Sequence, residues 1–202
     1  NMQKMKLKLV CFDLDGVLAD ACELHKQSLN EALEQSGYSK ISDFDHVKTY
    51  NGLPTLSKLS KLGIPSNEAN QINKLKQEIT VKRISDHIKF DLTKVVMCAA
   101  IKNSGVKLAC VSNCSKQTGE LMLKNIGILD YFNICVWNDD CRPKPCSEGY
   151  IISMVELRSK PSETIIVEDS PHGIQSARNT GALVFEVANP SQVNFNLFKD
   201  YL

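Results

Sequence analysis

The sequence has no apolar run long enough to cross a lipid bilayer. Its longest apolar runs, such as 107–111 and 164–167, hold only a few residues, whereas a membrane-spanning helix needs about 20. The N-terminal region also lacks the apolar core of a secretory signal. We therefore expect a cytoplasmic protein that makes no contact with membranes.

The sequence also lacks an excess of charge of either sign. The 24 Lys and Arg residues nearly balance the 23 Asp and Glu residues, which gives a formal net charge of +1. Scattered charges of both signs provide no electrostatic footprint for nucleic acid or an anionic membrane. We expect no nucleic-acid partner, and any recognition of phosphate must come from a local site.

Cysteine is not scarce, but the chain contains no Cys-x-x-Cys pair. The eight cysteines stand at positions 11, 22, 98, 110, 114, 135, 141 and 146. The spacing of Cys141 and Cys146 does not match that of a zinc site. Several of the others lie in apolar, strand-like segments, where a free thiol packs as a small hydrophobic group. We expect reduced thiols and no zinc.

Short apolar runs that alternate with helical patterns predict an α/β fold. The predicted strands cover 6–12, 107–111, 133–137, 164–167 and 183–187. Helical patterns with capping residues at their ends cover 92–104, 115–125 and 171–180. Alternation of this kind favours right-handed βαβ units. The predicted core is a doubly wound, Rossmann-like parallel sheet.

The segment between the first two predicted strands interrupts this alternation. It contains helical patterns but no convincing strand. One predicted helical face comprises Leu24, Ser28, Leu29, Ala32 and Leu33, and a later one comprises Ile72, Leu75 and Ile79. At 202 residues, the chain has room for a domain with a small insertion. We predict a core of residues 1–19 and 91–202, with an inserted helical domain at 20–90.

Polar residues follow four of the predicted strands at the point where each ends. They are Asp13 and Asp15, Ser112 and Asn113, Lys144, and Glu168 and Asp169. In open α/β sheets, ligands bind outside the carboxyl ends of the strands, so these side chains should converge. A carboxylate can attack a phosphate ester, and paired carboxylates suit Mg²⁺. A hydroxyl and an ammonium can bind the phosphate oxygens, and a second carboxylate can move the proton of the leaving group.

Four segments carry a resemblance to the motifs of the haloacid dehalogenase-like superfamily. They are Asp-Leu-Asp-Gly-Val-Leu at 13–18, Val-Ser-Asn at 111–113, Arg-Pro-Lys-Pro at 142–145 and Val-Glu-Asp-Ser at 167–170. Any one of them alone could be an ordinary turn or loop, but four in order make coincidence improbable. With its helical insertion, the chain is similar to the branch of β-phosphoglucomutase and phosphoglycolate-type phosphatases, which carry a small C1 cap domain.

The resemblance implies a role for each motif residue. Asp13 would be the nucleophile that forms an aspartyl-phosphate, and Asp15 would be the general acid and base. Ser112, Asn113 and Lys144 would bind the phosphate. Mg²⁺ would be held by Asp13, Asp169 and the backbone carbonyl of Asp15, while Glu168 would order the water molecules of the metal.

Further candidates rest on weaker signals. His25 falls on the first helix of the cap, where contact with substrate and simple solvation are about equally expected. Lys116 follows Ser112 closely and could assist phosphate binding, or it could stand at an exposed helix start. Gly52 lies in a cap loop that could approach the substrate. Capping of the helix that begins at Pro171, by Asp169 or by Ser170, is compatible with metal binding at this position.

The resemblance also helps to choose among reactions. Asp15 favours phosphate esters over the halogenated and phosphonate substrates of other branches. Mutases of the family usually carry an arginine three residues after a cap glycine, where this chain has Thr55. Lys58 and Lys61 are expected on a solvated helix face. We therefore expect a Mg²⁺-dependent phosphatase that acts on a small phosphorylated metabolite, such as a sugar phosphate, as a monomer or weak dimer. A phosphomutase is the alternative, and a non-catalytic binding protein is less favoured.

Overall fold

The core of the protein is a five-stranded parallel sheet with the strand order β3-β2-β1-β4-β5. The computed structural model describes residues 4–202, so the first three residues of the predicted core lie outside the described residues. The strands are β1 Leu9–Phe12, β2 Lys107–Val111, β3 Ile134–Val136, β4 Thr164–Glu168 and β5 Leu183–Glu186. The predicted strands thus form one sheet, although β1 and β3 are shorter than expected.

Eight α-helices accompany the sheet within residues 4–202. They are α1 Cys22–Gln35, α2 Asp43–Asp45, α3 Thr55–Lys61, α4 Ser66–His87, α5 Leu92–Asn103, α6 Lys116–Ile126, α7 Glu148–Glu156 and α8 Pro171–Arg178. A π-helical turn, His46–Tyr50, continues α2. No helix of the described chain has both the length and the apolar character needed to span a membrane.

Helices cover both faces of the sheet because successive strand residues point to opposite sides. Val10 and Phe12 of β1 lie in one apolar cluster together with residues of α5 and α6. Leu9 and Cys11 lie in a second cluster with Tyr150 of α7 and Ala177 of α8. All four residues of β1 are buried. The predicted doubly wound α/β fold is therefore confirmed.

The register of the sheet brings the strand ends to one edge. Phe12, the last residue of β1, pairs with Cys110 of β2 and with Val167 of β4. The residues that follow, including Asp13 and Ser112, therefore emerge side by side from neighbouring strands. This is the edge at which the sequence predicts the site.

The segment between β1 and α5 is helical and has its own small apolar core. Leu29 and Leu33 of α1 pack there with Leu59 of α3 and Ile72 of α4, and all four are buried. The insertion also contacts the sheet domain, because Gln77 of α4 donates hydrogen bonds to Ser115 Oγ at 2.6 Å and to Thr118 Oγ1 at 2.5 Å. We refer to the predicted insertion, residues 20–90, as the cap, and these boundaries stay a prediction.

Helix α7 was not predicted from the sequence. Its second residue is Gly149, which disfavours helix, and the run from Tyr150 to Ile152 consists of residues typical of strands. The helix forms because Tyr150 and Met154, four residues apart, fall on one face and are buried against the sheet. Tertiary packing therefore overrides local propensity in this segment.

Gly119 provides a test of how tightly α6 packs on the sheet edge. A Cβ atom at this position would lie 2.1 Å from a ring carbon of the buried Trp137. We expect Gly119→Ala to lower the free energy of unfolding by about 1–3 kcal/mol through overpacking. The same change at an open helical site would instead raise it by up to about 1 kcal/mol. Urea denaturation measures the difference.

Gln117→Ala is the matched control, since Gln117 is exposed on the same helix. This variant should stay within about 0.5 kcal/mol of the wild type. A Gly119→Ala protein at least as stable as the wild type would contradict the packing described for Trp137.

Candidate active site

A cavity of about 280 Å³ lies between the carboxyl edge of the sheet and the cap. Its floor is formed by the sheet residues Asp13, Asp15, Ser112, Asn113, Lys144 and Asp169. Its roof is formed by the cap residues His25, His46, Gly52, Thr55, Lys58 and Lys76. The structure therefore brings most of the sequence-predicted residues to one cavity.

Lys144 is the central cation of the floor. Its Nζ lies 2.8 Å from Asp13 Oδ1 and 2.7 Å from Glu168 Oε1, and it donates to the carbonyl of Val111 at 2.7 Å. Burial alone would lower the pKa of Lys144, but the carboxylates of Asp13 and Glu168 raise it well above its ordinary value. Lys144 is therefore a fixed positive charge beside Asp13.

Tyr150 is a site residue that the sequence did not reveal. Its buried hydroxyl donates a hydrogen bond to the carboxylate of Glu168, and the ammonium of Lys144 lies 5.1 Å from the centre of its ring. Glu168 also accepts from the backbone N–H of Asp169 at 3.3 Å. The carboxylate of Glu168 is thus held by three donors and is positioned beneath the cavity rather than in its lining.

The floor carries an acidic cluster that fits a divalent cation. Carboxylate oxygens of Asp13, Glu168 and Asp169 lie within 4.8 Å of one another. Asp169 Oδ1 is buried and has no hydrogen-bond partner within residues 4–202. Burial and the negative charges of Asp13 and Glu168 raise the pKa of Asp169. Hard oxygen ligands in this arrangement suit a cation such as Mg²⁺, which would relieve the repulsion.

Gly16 allows this cluster to form at the turn after β1. Its φ angle is 84°, a left-handed value that favours glycine. A Cβ atom here would lie 2.0 Å from Asp169 Oδ2, so any side chain would displace that carboxylate. The Asp-Leu-Asp-Gly sequence therefore places two carboxylates and leaves space for a third.

Asp15 is bound from the cap side. His25 Nε2 lies 2.9 Å from Asp15 Oδ2, and Lys76 Nζ lies 2.8 Å from His25 Nδ1. A lysine ammonium can only donate, so His25 accepts at Nδ1 and presents its N–H at Nε2 to Asp15. Burial alone would raise the pKa of Asp15, but the contact with His25 and the positive charges of Lys76 and Lys58 lower it.

Ser112 and Asn113 organise the loop after β2. Ser112 is buried in the cavity floor, and its hydroxyl accepts the backbone N–H of Cys114 at 3.1 Å. Asn113 Oδ1 accepts the backbone N–H of Lys144 at 3.0 Å, and its Nδ2 donates to the carbonyl of Gly52 at 2.7 Å. The side chain of Asn113 therefore joins the Lys144 loop to the cap, and its role in phosphate binding stays a prediction.

Two lysines lie elsewhere than the sequence suggested. The expectation that Lys58 is solvated is wrong: it is only 8% exposed, because α3 packs on α4 and turns this side chain into the cavity. Lys61, at the end of the same helix, is exposed as expected. Lys116 is not brought to the cavity, since its side chain is 71% exposed and lies 3.9 Å from Glu120.

The burial of Lys76 could have been predicted from the sequence, whereas that of Lys58 and His46 could not. Ile72, Lys76, Thr80 and Ile84 follow one another at intervals of four residues and form the buried stripe of α4. A lysine within such a stripe is a candidate for a site. Lys58 lies on a helix of only seven residues, where periodicity carries little information.

Comparison with known proteins identifies the class of enzyme. The family model described as haloacid dehalogenase-like hydrolase matches residues 10–187. The chain therefore belongs to the haloacid dehalogenase-like hydrolases, and the family and the phosphatase class predicted from the four motifs are confirmed.

Curated relatives cover most of the chain. A phosphorylated carbohydrates phosphatase of Thermotoga maritima is 25% identical over 181 residues, which cover 87% of this chain and 82% of that protein. The pyrophosphatase PpaX of Bacillus velezensis is 29% identical over 196 residues, which cover 93% and 86% respectively.

Solved structures agree on the fold. The crystal structure of β-phosphoglucomutase from Clostridium difficile superimposes with a TM-score of 0.81 at 20% identity, covering 96% of this chain and 97% of that one. CbbY from Rhodobacter sphaeroides, in complex with phosphate, gives a TM-score of 0.80 at 19% identity and covers 89% and 85%. At these identities the structures establish the shared fold alone.

The acidic cluster predicts how metal binding depends on pH. Asp169 has its pKa raised from 3.8 to about 8, so in the metal-free protein it favours the protonated form and destabilises the fold as pH rises through this range. A cation needs the ionised form. The increase in unfolding temperature caused by Mg²⁺ should therefore be small at about pH 5.5 and larger at about pH 8.

Thermal unfolding with and without Mg²⁺ at both pH values measures this effect. Asp169→Asn is the matched variant, because it keeps the shape of the side chain and removes its charge. It should abolish most of the Mg²⁺-induced shift at either pH. A shift that does not change with pH, or that persists in Asp169→Asn, would reject the assigned cation site.

Proposed function

We propose that the protein is a Mg²⁺-dependent phosphatase that hydrolyses a small phosphorylated metabolite through a covalent aspartyl-phosphate on Asp13. One observation carries the proposal: Asp13 lies in the cavity floor beside a fixed lysine and within an acidic cluster, and Asp15 of the same floor is in contact with His25 of the cap. A nucleophile, a charge-neutralising group and a proton carrier therefore face the same small space.

The first step forms a bond between a carboxylate oxygen of Asp13 and the phosphorus atom. The ester P–O bond breaks, and the leaving oxygen takes a proton from Asp15. Lys144 and Ser112 offset the charge on the phosphoryl group. A magnesium ion held by Asp13 and Asp169 would supply further positive charge that lets an anionic nucleophile approach an anionic phosphate.

The second step returns Asp13 to its free form. Asp15, now ionised, removes a proton from a water molecule that attacks phosphorus, and the bond between phosphorus and Asp13 breaks. The lowered pKa of Asp15 in the ligand-free protein suits this role as a base. Its role as an acid in the first step requires the negative charge of a bound phosphate, which raises the pKa of a neighbouring carboxyl group.

The size of the cavity and the named relatives support a small phosphorylated substrate. A volume of about 280 Å³ fits a small molecule. The relatives are named for phosphorylated carbohydrates and for pyrophosphate. A sugar phosphate or a molecule of similar size is therefore the proposed substrate class, and no contact with nucleic acid is needed.

Replacement of the nucleophile tests the covalent mechanism. We expect Asp13→Asn to lower Mg²⁺-dependent hydrolysis of an aryl phosphate to less than about a hundredth of the wild-type rate, because an amide is a poor nucleophile of nearly the same shape. Its thermal unfolding should stay cooperative. Asp130→Asn, at an exposed position outside the cavity, is the control and should keep full activity.

Phosphate release by a freshly purified sample, checked by mass for deamidation at position 13, is the measurement. A rate for Asp13→Asn comparable to that of the wild type would exclude Asp13 as nucleophile.

A phosphomutase is the second candidate, because Lys58 brings a positive charge into the roof of the cavity. A mutase must hold a bisphosphate intermediate while it turns round, and a guanidinium fork suits this best. Here Thr55 offers a hydroxyl and Lys58 a point charge. Water should therefore reach the aspartyl-phosphate first.

The two reactions can be measured together with β-glucose 1-phosphate and a trace of the 1,6-bisphosphate. We expect release of free phosphate to exceed formation of glucose 6-phosphate. Isomerisation that outruns phosphate release by about tenfold, equal to about 1.4 kcal/mol between the barriers, would favour the mutase.

A further inference from the structure

Glu168 is the member of the acidic cluster that does not line the cavity. Carboxylate oxygens of Asp13, Glu168 and Asp169 lie within 4.8 Å of one another. Asp13 and Asp169 line the cavity, whereas Glu168 is fully buried beneath it. A cation bound at the floor would therefore have three carboxylates in its vicinity, of which two face the cavity directly. The contacts of Glu168 decide whether it can become a third ligand.

Both carboxylate oxygens of Glu168 are bound by donors of the protein. Oε1 accepts from the hydroxyl of Tyr150 and from Lys144 Nζ, which lies 2.7 Å away. Oε2 accepts from the backbone N–H of Asp169 at 3.3 Å. A Cβ atom at Gly173 would overlap with this carboxylate, so the first turn of α8 packs directly against it. Glu168 is thus confined to its place beneath the cavity.

The two side-chain donors to Glu168 differ in what else they bind. Lys144 divides its three N–H groups among Glu168, Asp13 and the carbonyl of Val111, and in the proposed mechanism it also contacts the phosphoryl group. Tyr150 has one hydroxyl hydrogen, which it donates to Glu168. Its side chain is fully buried in an apolar cluster, away from solvent. Tyr150 is therefore the donor whose contact with Glu168 the substrate does not compete for.

The number of carboxylate ligands influences which divalent cation a site prefers. Mg²⁺ requires octahedral geometry, keeps several of its water molecules and is usually bound by one or two carboxylates. Ca²⁺ takes about six to eight oxygen ligands in a flexible arrangement and accepts bidentate carboxylates. Asp13 and Asp169 alone suit Mg²⁺, and a third carboxylate from Glu168 would favour Ca²⁺.

We propose that Tyr150 is a positioning residue whose hydroxyl keeps Glu168 out of direct contact with the bound cation and thereby favours Mg²⁺ over Ca²⁺. This inference rests on the Mg²⁺ site of the proposed phosphatase. It adds to the control of that site a residue of α7, which lies outside the four motifs. Tyr150 does not line the cavity, so it acts on the cation through Glu168 alone.

Tyr150→Phe isolates the contribution of the hydroxyl. Phenylalanine keeps the ring, which packs in the apolar cluster and lies 5.1 Å from Lys144 Nζ. The Kd values of Mg²⁺ and Ca²⁺ are measured by calorimetry at about pH 8 on protein freed of metal with EDTA. We expect the variant to shift the ratio of the two Kd values toward Ca²⁺ by about tenfold or more, since outer hydrogen-bond partners of metal ligands have effects of this size.

Two further variants serve as controls. Tyr131→Phe is matched, because the Tyr131 ring also lies near a lysine ammonium, 5.8 Å from Lys102 Nζ, but outside the cavity. Its ratio should equal that of the wild type. Glu168→Gln replaces the third carboxylate by a neutral amide. In this background Tyr150→Phe should change the ratio by less than about threefold, because the two residues act as one unit.

The outcomes separate the role of Tyr150 from the function on which it depends. A folded Tyr150→Phe protein with the wild-type ratio, as a purely structural role predicts, would overturn the inference. A shift of full size in the Glu168→Gln background would overturn it as well. No binding of either cation by the wild type, or no Mg²⁺-dependent phosphate release from an aryl phosphate, would instead overturn the proposed function.

A crystal structure of the wild type with Mg²⁺ tests the inference if thermal unfolding shows that Tyr150→Phe does not fold. We expect the hydrogen bond between Tyr150 and Glu168 to persist and both oxygens of Glu168 to lie outside the coordination sphere. A direct bond of about 2.1 Å between Glu168 and Mg²⁺ would overturn the inference.

Discussion

The structure depends on the confinement of three carboxylates, Asp13, Glu168 and Asp169, at the buried edge of a parallel sheet. Adjacent strands end in register, so these groups are forced within 4.8 Å of one another. Lys144 neutralises part of their charge and Tyr150 adds a hydrogen bond to Glu168. The remaining repulsion between the carboxylates raises the pKa of Asp169 and favours the binding of a divalent cation.

The cap forms a basic roof that faces this acidic floor across the cavity. Lys58 and Lys76 are both buried in it, and His25 connects Lys76 to Asp15. The cavity thus has a negative side, where we propose that a metal ion and the transferred phosphoryl group bind, and a positive side formed by the cap. Contacts such as that between Asn113 and the carbonyl of Gly52 fix the distance between the two sides. In the proposed mechanism, the groups that react with the phosphate therefore come from the sheet domain, and the cap provides the other wall of the cavity.

The floor could be predicted from sequence because sheet topology alone brings it together. Once the strands are recognised, Asp13, Ser112 and Asp169 must meet at the carboxyl edge. The roof could not be predicted in this way. Lys58 was expected in solvent, and its burial follows from how the short helix α3 packs on α4. Tyr150 was missed for a similar reason, since α7 owes its existence to burial against the sheet. Lys116, although close to Ser112 in sequence, lies at a helix start that points its side chain into solvent.

The central claim is that Asp13 carries the phosphoryl group as a covalent intermediate. The most direct measurement uses Asp15→Asn, which keeps the nucleophile and removes the general base that hydrolyses the intermediate. The variant is mixed with labelled aryl phosphate and Mg²⁺, quenched in acid and reduced with borohydride. We predict label on the protein before reduction and homoserine at position 13 after it. Protein that carries no label, or carries it at another residue, would contradict the account.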